Sequence, residues 1–205
     1  MNTVKVPRAV VFDLGKVLLD FDYGILARRM AGESDLPAEA ILDLVNQTPL
    51  LHRYETGLLS DHEFYDAVVA ATGFRGGEAR FRDWFGDIFT EISPMVSLQG
   101  ALVRKGVPTY VFSNTNAQAI RHVRASYAFY RHFTGEILSY EVRSMKPDTR
   151  IYEAVEALSG LSGPDLLYLD DRPENIAAGA ARGWQAWIHS DPDLTVPRVS
   201  ALLGL

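Results

Sequence analysis

Apolar residues gather in short runs along this chain, and three of the runs stop abruptly at polar residues. Runs that are rich in β-branched and aromatic residues and end in this way are typical of buried strands. On this pattern, strands are expected over roughly residues 8–13, 108–112 and 166–169.

The second half of the chain alternates between extended and helical patterns. Segments with apolar residues at helical spacing lie between the apolar runs, and glycine or proline stands at several of the changes. Helices are expected over residues 98–105, 117–127, 151–158 and 173–181, and further strands over residues 137–139 and 185–189. Such alternation is typical of βαβ units. The sequence therefore predicts an α/β fold with a parallel sheet and helices on both of its faces.

Residues 21–93 have a different pattern, because apolar positions recur there mostly at helical spacing. Ser60 and Glu63 form the S-x-x-E pattern of a capping box, which marks the start of a helix. The segment contains no convincing strand. It is therefore expected to be a small helical cap subdomain inserted after the first strand, while residues 1–20 and 94–205 form the core.

Composition narrows the range of functions. The chain has 205 residues, 47% of them hydrophobic, and a formal net charge of −6, which argues against a nucleic-acid partner because such binding needs basic surface. It has no cysteine, no apolar run of membrane-spanning length and no apolar signal core near its start. We therefore expect a cytoplasmic protein without a membrane partner, either a monomer or a homodimer.

Polar residues at the ends of the predicted strands should meet, because the carboxyl ends of parallel strands share one edge of a sheet. Together with one lysine that precedes a helix, the set consists of Asp13, Ser113, Asn114, Lys146, Asp170 and Asp171. This collection suits phosphoryl transfer. Asp13 is the candidate nucleophile, while Asp13, the Gly15 carbonyl and Asp171 are candidate ligands of Mg²⁺, which prefers oxygen.

The other residues of this set could hold a phosphoryl group. Lys146 would offset its negative charge, while Ser113 and the Asn114 amide would bind one of its oxygens at the start of a helix, where anions are favoured. Asn116 is either a further phosphate contact or the residue that begins that helix. The expected substrate is a small phosphorylated molecule, and the expected cofactor is Mg²⁺.

Four short motifs occur in an order that resembles one known family. They are residues 12–15, residues 112–116, residues 145–148, and residues 169–175 with their two adjacent aspartates. In this order they resemble the haloacid dehalogenase superfamily of hydrolases, most of whose members are phosphatases. The resemblance implies a Rossmann-like core with strand order 5-4-1-2-3 and a small helical cap after the first strand.

The resemblance also implies roles for individual residues. Asp171 would be the metal ligand, and Asp170 would lie behind it near Lys146. Asn175 would contact Asp13 or the water shell of the metal. Cap residues 54–60 are similar to a segment of the subgroup that contains bacterial α-glucose-1-phosphate phosphatase, near the amino-terminal phosphatase domain of soluble epoxide hydrolase.

Position 15 departs from the family pattern. Most phosphatases of the family carry an aspartate there that protonates the leaving oxygen, whereas this chain has Gly15, as the subgroup named above does. General acid–base help is worth about 10²–10⁴ in rate. Asp20, Asp22 or a residue of the cap could supply the proton instead. The neighbouring Lys16 either pairs with Asp13 or faces solvent, and the rarity of buried lysine favours solvent.

The sequence therefore predicts an enzyme, a Mg²⁺-dependent phosphomonoester hydrolase that acts on a small phosphorylated metabolite, such as a sugar phosphate, through an aspartyl phosphate. Two alternatives stay open. A 2-haloacid dehalogenase-type hydrolase also lacks the second aspartate, but the acidic pair at residues 170 and 171 would repel itself in a metal-free site. A catalytically silent phosphometabolite-binding module would fit the missing acid. His52, Arg53 and Tyr54 are either substrate contacts or part of a solvated helix face.

Overall fold

A five-stranded parallel sheet lies at the centre of the computed structural model, which describes residues 5–205. The strands of the chain are β1 (Ala9–Phe12), β2 (Leu19–Phe21), β3 (Phe89–Glu91), β4 (Thr109–Ser113), β5 (Gly135–Leu138), β6 (Leu166–Asp170) and β7 (Gln185–Ile188). The central sheet has the order β5-β4-β1-β6-β7. When its five strands are counted among themselves, this order is the predicted 5-4-1-2-3 seen from the other edge. The predicted α/β fold is thus confirmed.

The central strand β1 has an unbroken apolar sequence because it is covered on all sides. All four of its residues are fully buried. It pairs with β4 on one edge, where Val10 lies opposite Thr109, and with β6 on the other, where Val10 lies opposite Leu167. Such a strand has no position that favours a polar side chain until it ends. The first polar position after it is Asp13.

Helices cover both faces of the central sheet. The helices of the described residues are α1 (Tyr23–Ala31), α2 (Ala38–Val45), α3 (Pro49–Glu55), α4 (Asp61–Thr72), α5 (Gly77–Gly86), α6 (Ser93–Arg104), α7 (Ala117–Ser126), α8 (Ser139–Val142), α9 (Thr149–Ser159), α10 (Pro173–Ala181) and α11 (Pro192–Leu203). Val10 and Phe12 pack in a cluster with residues of α6, α7 and α11, whereas Ala9 and Val11 pack in a cluster with residues of α9. Successive strand residues point to opposite faces, so both faces are covered as predicted. Among the described residues, no helix has the length and apolar character needed to cross a membrane.

Helices α1–α5 share a hydrophobic core of their own, and its centre is aromatic. The rings of Tyr54 and Phe64 stack with their centroids 4.2 Å apart, and the Phe85 ring lies 5.6 Å from that of Phe64. Ser60 and Glu63 form the expected capping box at the start of α4. These helices lie within residues 21–93, and the division of the chain at residues 20 and 94 stays a prediction.

One strand lies within residues 21–93, where the sequence pattern predicts none, so that expectation is corrected. The residues of β3 pair antiparallel with β2, with Leu19 opposite Glu91 and Phe21 opposite Phe89. Three residues are too few to show a strand pattern, and their partners lie far away in the chain. This two-stranded ribbon, β2 with β3, connects the α1–α5 helices to the residues that follow the central strand.

Candidate active site

The polar ends of three strands meet beside a cavity of about 720 Å³. The three parallel strands β1, β4 and β6 all end at this edge of the sheet. Of the residues predicted for the site, six line the cavity: Asp13, Gly15, Asn114, Lys146, Asp171 and Asn175. Three others, Ser113, Asn116 and Asp170, are buried outside its lining. The fold thus brings most of the predicted residues to one place.

Lys146 is a buried cation between two carboxylates. Its ammonium donates hydrogen bonds to the Phe112 carbonyl at 2.8 Å and to Asp170 Oδ2 at 2.7 Å, and it lies 3.0 Å from Asp13 Oδ1. Burial would lower the pKa of Lys146, but the charges of Asp13 and Asp170 outweigh burial and raise the pKa above its usual value. The lysine is therefore a fixed positive charge inside the site.

Asp170 is fully buried, and hydrogen-bond donors surround both of its carboxylate oxygens. Oδ2 accepts hydrogen bonds from Lys146 and the Tyr168 hydroxyl, and Oδ1 accepts one from the Arg172 amide at 2.8 Å. The side-chain amide of Asn175 adds contacts of 3.0 and 3.2 Å to the two oxygens. Burial would raise the pKa of Asp170, but Lys146 outweighs it and lowers the pKa. An ionised Asp170 thus holds Lys146 and has little capacity left for a metal.

Asp13 and Asp171 belong to an acidic trio with Asp170, in which each residue offers an oxygen within 4.8 Å of the others. Oδ1 of Asp13 accepts a hydrogen bond from the Leu14 amide at 2.7 Å. Burial raises the pKa of Asp13 above its usual value, and the charges of Asp170 and Asp171 add to this although Lys146 opposes it. The pKa of Asp171 is raised by burial and by the charge of Asp170.

This set of donors fits a divalent metal ion. The three carboxylates lie near a single ammonium group, that of Lys146, which does not balance their negative charge. Asp13 and Asp171 line the cavity together with Gly15, the third ligand expected from the sequence. Mg²⁺ typically takes one or two carboxylates and completes its shell with other oxygens. A cation there would also offset the cost of keeping Asp13 and Asp171 ionised.

Asn114 fixes the backbone of Lys146. Its side-chain oxygen accepts a hydrogen bond from the Lys146 amide at 2.7 Å, and its side-chain nitrogen donates one to the Lys146 carbonyl at 3.0 Å. The sequence suggests a role only for the backbone amide of Asn114, so this function of its side chain is an addition. The Ser113 hydroxyl lies 3.4 Å from the Asn114 carbonyl, outside the cavity lining, and its contact with phosphate stays a prediction.

Asn116 and Asn175 both use their side chains in hydrogen bonds within the protein. Asn116 is the N-cap of α7, where its side chain accepts a hydrogen bond from the Ala119 amide at 2.9 Å. Because Asn116 is buried and used in this way, the structure favours the helix-start alternative over the phosphate contact. The side-chain amide of Asn175 donates to Asp170, and among the described residues it forms no hydrogen bond with Asp13; its contact with the water shell of the metal stays a prediction.

The ring of Phe21 occupies the space beside Gly15. A Cβ atom on residue 15 would lie 2.9 Å from Phe21 Cε1, closer than real Cβ contacts. Phe21 is in turn packed against Tyr23 and Phe89, with ring centroids 5.7 and 6.3 Å away. The ring of Phe21 therefore fills the space next to Gly15, and an aspartate side chain at position 15 would collide with it.

Lys16 lines the cavity but forms no ion pair with Asp13 among the described residues, in agreement with the favoured alternative. Its side chain is 45% exposed, and its ammonium pairs with Asp20 and donates to the Phe21 carbonyl at 3.1 Å. The hydrogen bond from Lys16 lowers the pKa of Asp20, which makes that carboxyl a poor proton donor. Asp22 caps α1, because its side chain accepts from the Gly24 amide at 2.7 Å. Asp20 and Asp22, the two nearby acidic residues that could replace the missing aspartate, thus both have other partners.

Glu55 is a cavity residue that the sequence analysis did not single out. It is the last residue of α3, and burial raises the pKa of its carboxyl to about 7, while the charge of Arg172 lowers it only in part. Its sequence signal was weak, because a glutamate at the end of a helix is usually solvated. Only its position in the segment of residues 54–60, which is similar to one in a phosphatase subgroup, pointed toward it.

Residues 52–54, the neighbouring candidates for a substrate contact, differ in their positions relative to the cavity. His52 lines the cavity, whereas Arg53 and Tyr54 do not. Tyr54 is buried in the core of α1–α5, and its hydroxyl donates to Asp61 Oδ1 at 2.6 Å. Of these three, His52 is therefore the one whose position suits a contact with substrate.

Residues 7–183 match the haloacid dehalogenase-like hydrolase family. The chain belongs to this family. Sesquiterpene phosphatase astK of Aspergillus oryzae is 26% identical to it over 199 residues, covering 96% of this chain and 97% of that protein. D-ribitol-5-phosphate phosphatase of Bacteroides thetaiotaomicron is 27% identical over 191 residues, covering 87% of this chain and 89% of that protein.

A solved structure has a similar fold. It is that of a haloacid dehalogenase family enzyme from Bacteroides thetaiotaomicron in complex with magnesium and inorganic phosphate. It is similar to this hydrolase with a TM-score of 0.77 and 20% identity, over 90% of this chain and 94% of that chain. At this level of identity the likeness concerns the fold, so the chemistry of the hydrolase is argued from its own residues.

Position 15 is where this hydrolase departs from the family pattern described above. The cavity contains a carboxylate at the end of the central strand, a buried lysine and a second carboxylate, Asp171. It contains no side chain at position 15. Any group that exchanges a proton with a substrate here has to come from another part of the cavity wall.

Proposed function

We propose that this hydrolase is a Mg²⁺-dependent phosphomonoester hydrolase that acts on a small phosphorylated metabolite through an aspartyl phosphate on Asp13. One observation carries the proposal: Asp13 lines the cavity with its Oδ1 3.0 Å from the Lys146 ammonium and an oxygen within 4.8 Å of one of Asp171. The two relatives named above are phosphatases by name, and each matches most of its own length.

Each residue of the site has a separate role in the proposed reaction. A carboxylate oxygen of Asp13 attacks phosphorus, and the bond from phosphorus to the leaving oxygen breaks. Lys146 and the backbone amide of Asn114 hold the phosphoryl oxygens, and Asp170 keeps Lys146 charged and in place. Asp13, the Gly15 carbonyl and Asp171 would hold Mg²⁺, which when bound offsets the charge of the phosphoryl group. Water then attacks the phosphorus of the aspartyl phosphate and frees Asp13.

The size of the cavity supports a metabolite rather than a macromolecule as substrate. Its volume of about 720 Å³ lies within the range of roughly 300–1,000 Å³ that is usual for small-molecule sites. His52 and Tyr23 line the cavity together with apolar residues of α2 and α3. This mixed lining suits a phosphate that carries a small organic group, and sugar phosphates are among the candidates.

The missing acid at position 15 would also be compatible with two other functions. A 2-haloacid dehalogenase would use Asp13 on carbon without a metal. The trio of carboxylates argues against it, because without a cation they repel one another. A silent binding module would hold phosphorylated metabolites without turnover. The fixed pairing of Lys146 with Asp13 argues against that, because binding alone does not need a carboxylate beside the phosphate.

The test is release of inorganic phosphate from a panel of sugar, acyl and aryl phosphates, with Mg²⁺ and with chelator. We expect Mg²⁺-dependent release that disappears in Asp13→Asn and persists in the matched control Asp43→Asn, whose exposed side chain lies outside the cavity. Full activity of Asp13→Asn would refute the mechanism. Halide release from 2-haloacids without metal would favour the dehalogenase, and Mg²⁺-dependent binding without turnover would favour the binding module.

A further inference from the structure

A phosphatase with glycine at position 15 still has to protonate its leaving group, and the nearby acids are unsuited to this. Asp20 is paired with Lys16, and Asp22 caps α1 and lies 3.2 Å from an Arg28 nitrogen. Asp171 is a candidate metal ligand. Among the acidic residues that line the cavity, this leaves Glu55.

The backbone of Glu55 is fastened to the edge of the sheet. Its carbonyl accepts a hydrogen bond from the Ser139 hydroxyl at 2.6 Å, and the same hydroxyl accepts one from the Thr115 amide at 2.8 Å. Thr115 follows Asn114, a residue of the cavity wall. Glu55 is therefore held next to the strand ends, although it belongs to the α1–α5 helices.

A close contact at Gly57 strengthens this attachment. A Cβ on residue 57 would lie 2.3 Å from the Tyr140 carbonyl, and φ is +71° there, so glycine is required on both counts. The Thr56 hydroxyl also contacts Met145 Sδ at 3.1 Å, one residue before Lys146. The end of α3 is thus packed directly on α8 and on the segment that carries the catalytic lysine candidate.

The side chain of Glu55 is free to meet a substrate. Within the described residues its carboxylate takes part in no hydrogen bond and no ion pair. Its charged and titratable neighbours in the cavity wall are Asp13, Lys16, Asp22, Tyr23, His52, Lys146, Asp171 and Arg172. Because burial brings its pKa to about 7, with Arg172 opposing, both the acid and the carboxylate are accessible near neutral pH.

We propose that Glu55 is the general acid and base that replaces the missing aspartate of position 15; this rests on the proposed phosphatase function. In the first step Asp13 bonds to phosphorus, the ester bond to phosphorus breaks, and the leaving oxygen takes the proton of the Glu55 carboxyl. In the second step a water oxygen bonds to phosphorus and gives a proton to the Glu55 carboxylate. The bond from phosphorus to Asp13 breaks, and inorganic phosphate leaves.

The test compares Glu55→Gln with the unchanged protein on a simple alkyl phosphate and on p-nitrophenyl phosphate. With the alkyl phosphate we expect kcat to fall about 10²–10⁴-fold, because the alkoxide needs a proton to leave. With p-nitrophenyl phosphate the leaving group needs little help, so a burst of one equivalent of nitrophenol should precede slow turnover. Acid quenching during this burst should trap the phosphoryl group on Asp13.

Three further variants and one titration make the test specific. Glu55→Asp should recover part of the activity that Glu55→Gln loses. Glu39→Gln should behave as the unchanged protein, because Glu39 is exposed and lies outside the cavity. Asp13→Asn should give no burst. In metal-free protein labelled at its glutamate carboxyls, NMR should show a titration near pH 7 that is absent from Glu55→Gln. This last readout does not depend on activity.

The outcomes separate the two proposals. If the unchanged protein releases phosphate and Glu55→Gln has the same kcat on the alkyl phosphate, Glu55 is not the acid and the phosphatase function stands. A raised KM with equal kcat on both substrates would overturn the proposal as well, because it would make Glu55 a residue that only holds substrate. If the unchanged protein releases no phosphate, the proposed function itself fails.

Discussion

Phe21 stands in the place where a side chain on Gly15 would be: a Cβ on residue 15 would lie 2.9 Å from Phe21 Cε1. The two residues are six positions apart across a tight loop that returns the chain from the central strand to β2. The pair explains why restoring an aspartate at position 15 is more than one substitution. It also makes the departure from the family pattern a matter of packing as well as chemistry.

We predict that Gly15→Asp alone destabilises the protein by about 1–3 kcal/mol, the usual cost of inserting atoms into a packed region. In a Phe21→Ala background the same change should cost less, because the obstructing ring is gone. Urea unfolding of the two single variants and the double variant measures this coupling. Additive free energies of unfolding would mean that Phe21 does not restrict residue 15.

Lys146 should be essential for stability as well as for activity. Lys146→Met leaves Asp13 and Asp170 buried without their cation, and breaking a buried ion pair in this way costs about 3–5 kcal/mol. Adding Asp13→Asn to Lys146→Met should return part of the loss. The control is Lys5→Met, since the Lys5 side chain is 54% exposed in its pair with Asp165, and ion pairs of exposed groups are worth about 0–1 kcal/mol. Equal losses of unfolding free energy in the two lysine variants would contradict the assignment.

The stability of the metal-free protein should carry a pH dependence that comes from Glu55. Folding raises the pKa of this carboxyl from 4.5 to about 7 through burial, so the folded state keeps a proton that the unfolded chain releases. The stabilisation is therefore complete below pH 4.5 and is lost as pH rises to about 7. Urea unfolding with chelator across this range should show that the unchanged protein loses stability relative to Glu55→Gln. Parallel curves for the two proteins would disprove the shift.

Ser139 should prove costly to replace although it lies outside the cavity. Its buried hydroxyl accepts from the Thr115 amide at 2.8 Å and donates to the Glu55 carbonyl at 2.6 Å. Ser139→Ala leaves the Thr115 amide without its partner, at a cost of about 1–3 kcal/mol, and it should also lower kcat because the end of α3 loses its attachment. Ser126→Ala, at an exposed position, should change the free energy of unfolding by less than about 0.5 kcal/mol. A Ser139→Ala protein as stable and active as this control would rule out the role.

The central sheet could be predicted because each of its main strands is an uninterrupted apolar run that ends at a polar residue. The same rule predicts that Asp13, Asn114 and Asp171 meet at one edge of the sheet. Where local patterns were weak, the prediction was incomplete. The pattern predicts no helix for α11, which contains Pro197 in its interior, where proline usually breaks a helix. The three residues of β3 are a strand only because β2 lies beside them.

The finer features of the site depend on tertiary contacts that no local pattern contains. Asn116 and Asn175 both follow strands, yet the first caps a helix and the second binds Asp170. Glu55 is typical of a solvated helix end until the rest of the fold covers it in part. The catalytic roles, the cytoplasmic location and the monomeric or dimeric state remain predictions.

The ribbon of β2 and β3 brings the beginning and the end of the helical insert together. Phe21 on the way in lies opposite Phe89 on the way out, so the two connections leave the sheet side by side. A short turn that joined Phe21 directly to Phe89 would complete an ordinary β-hairpin and would leave the order of the strands in the central sheet unchanged. The same geometry makes the ribbon the natural junction for chimeras that combine this sheet with the helices of a relative.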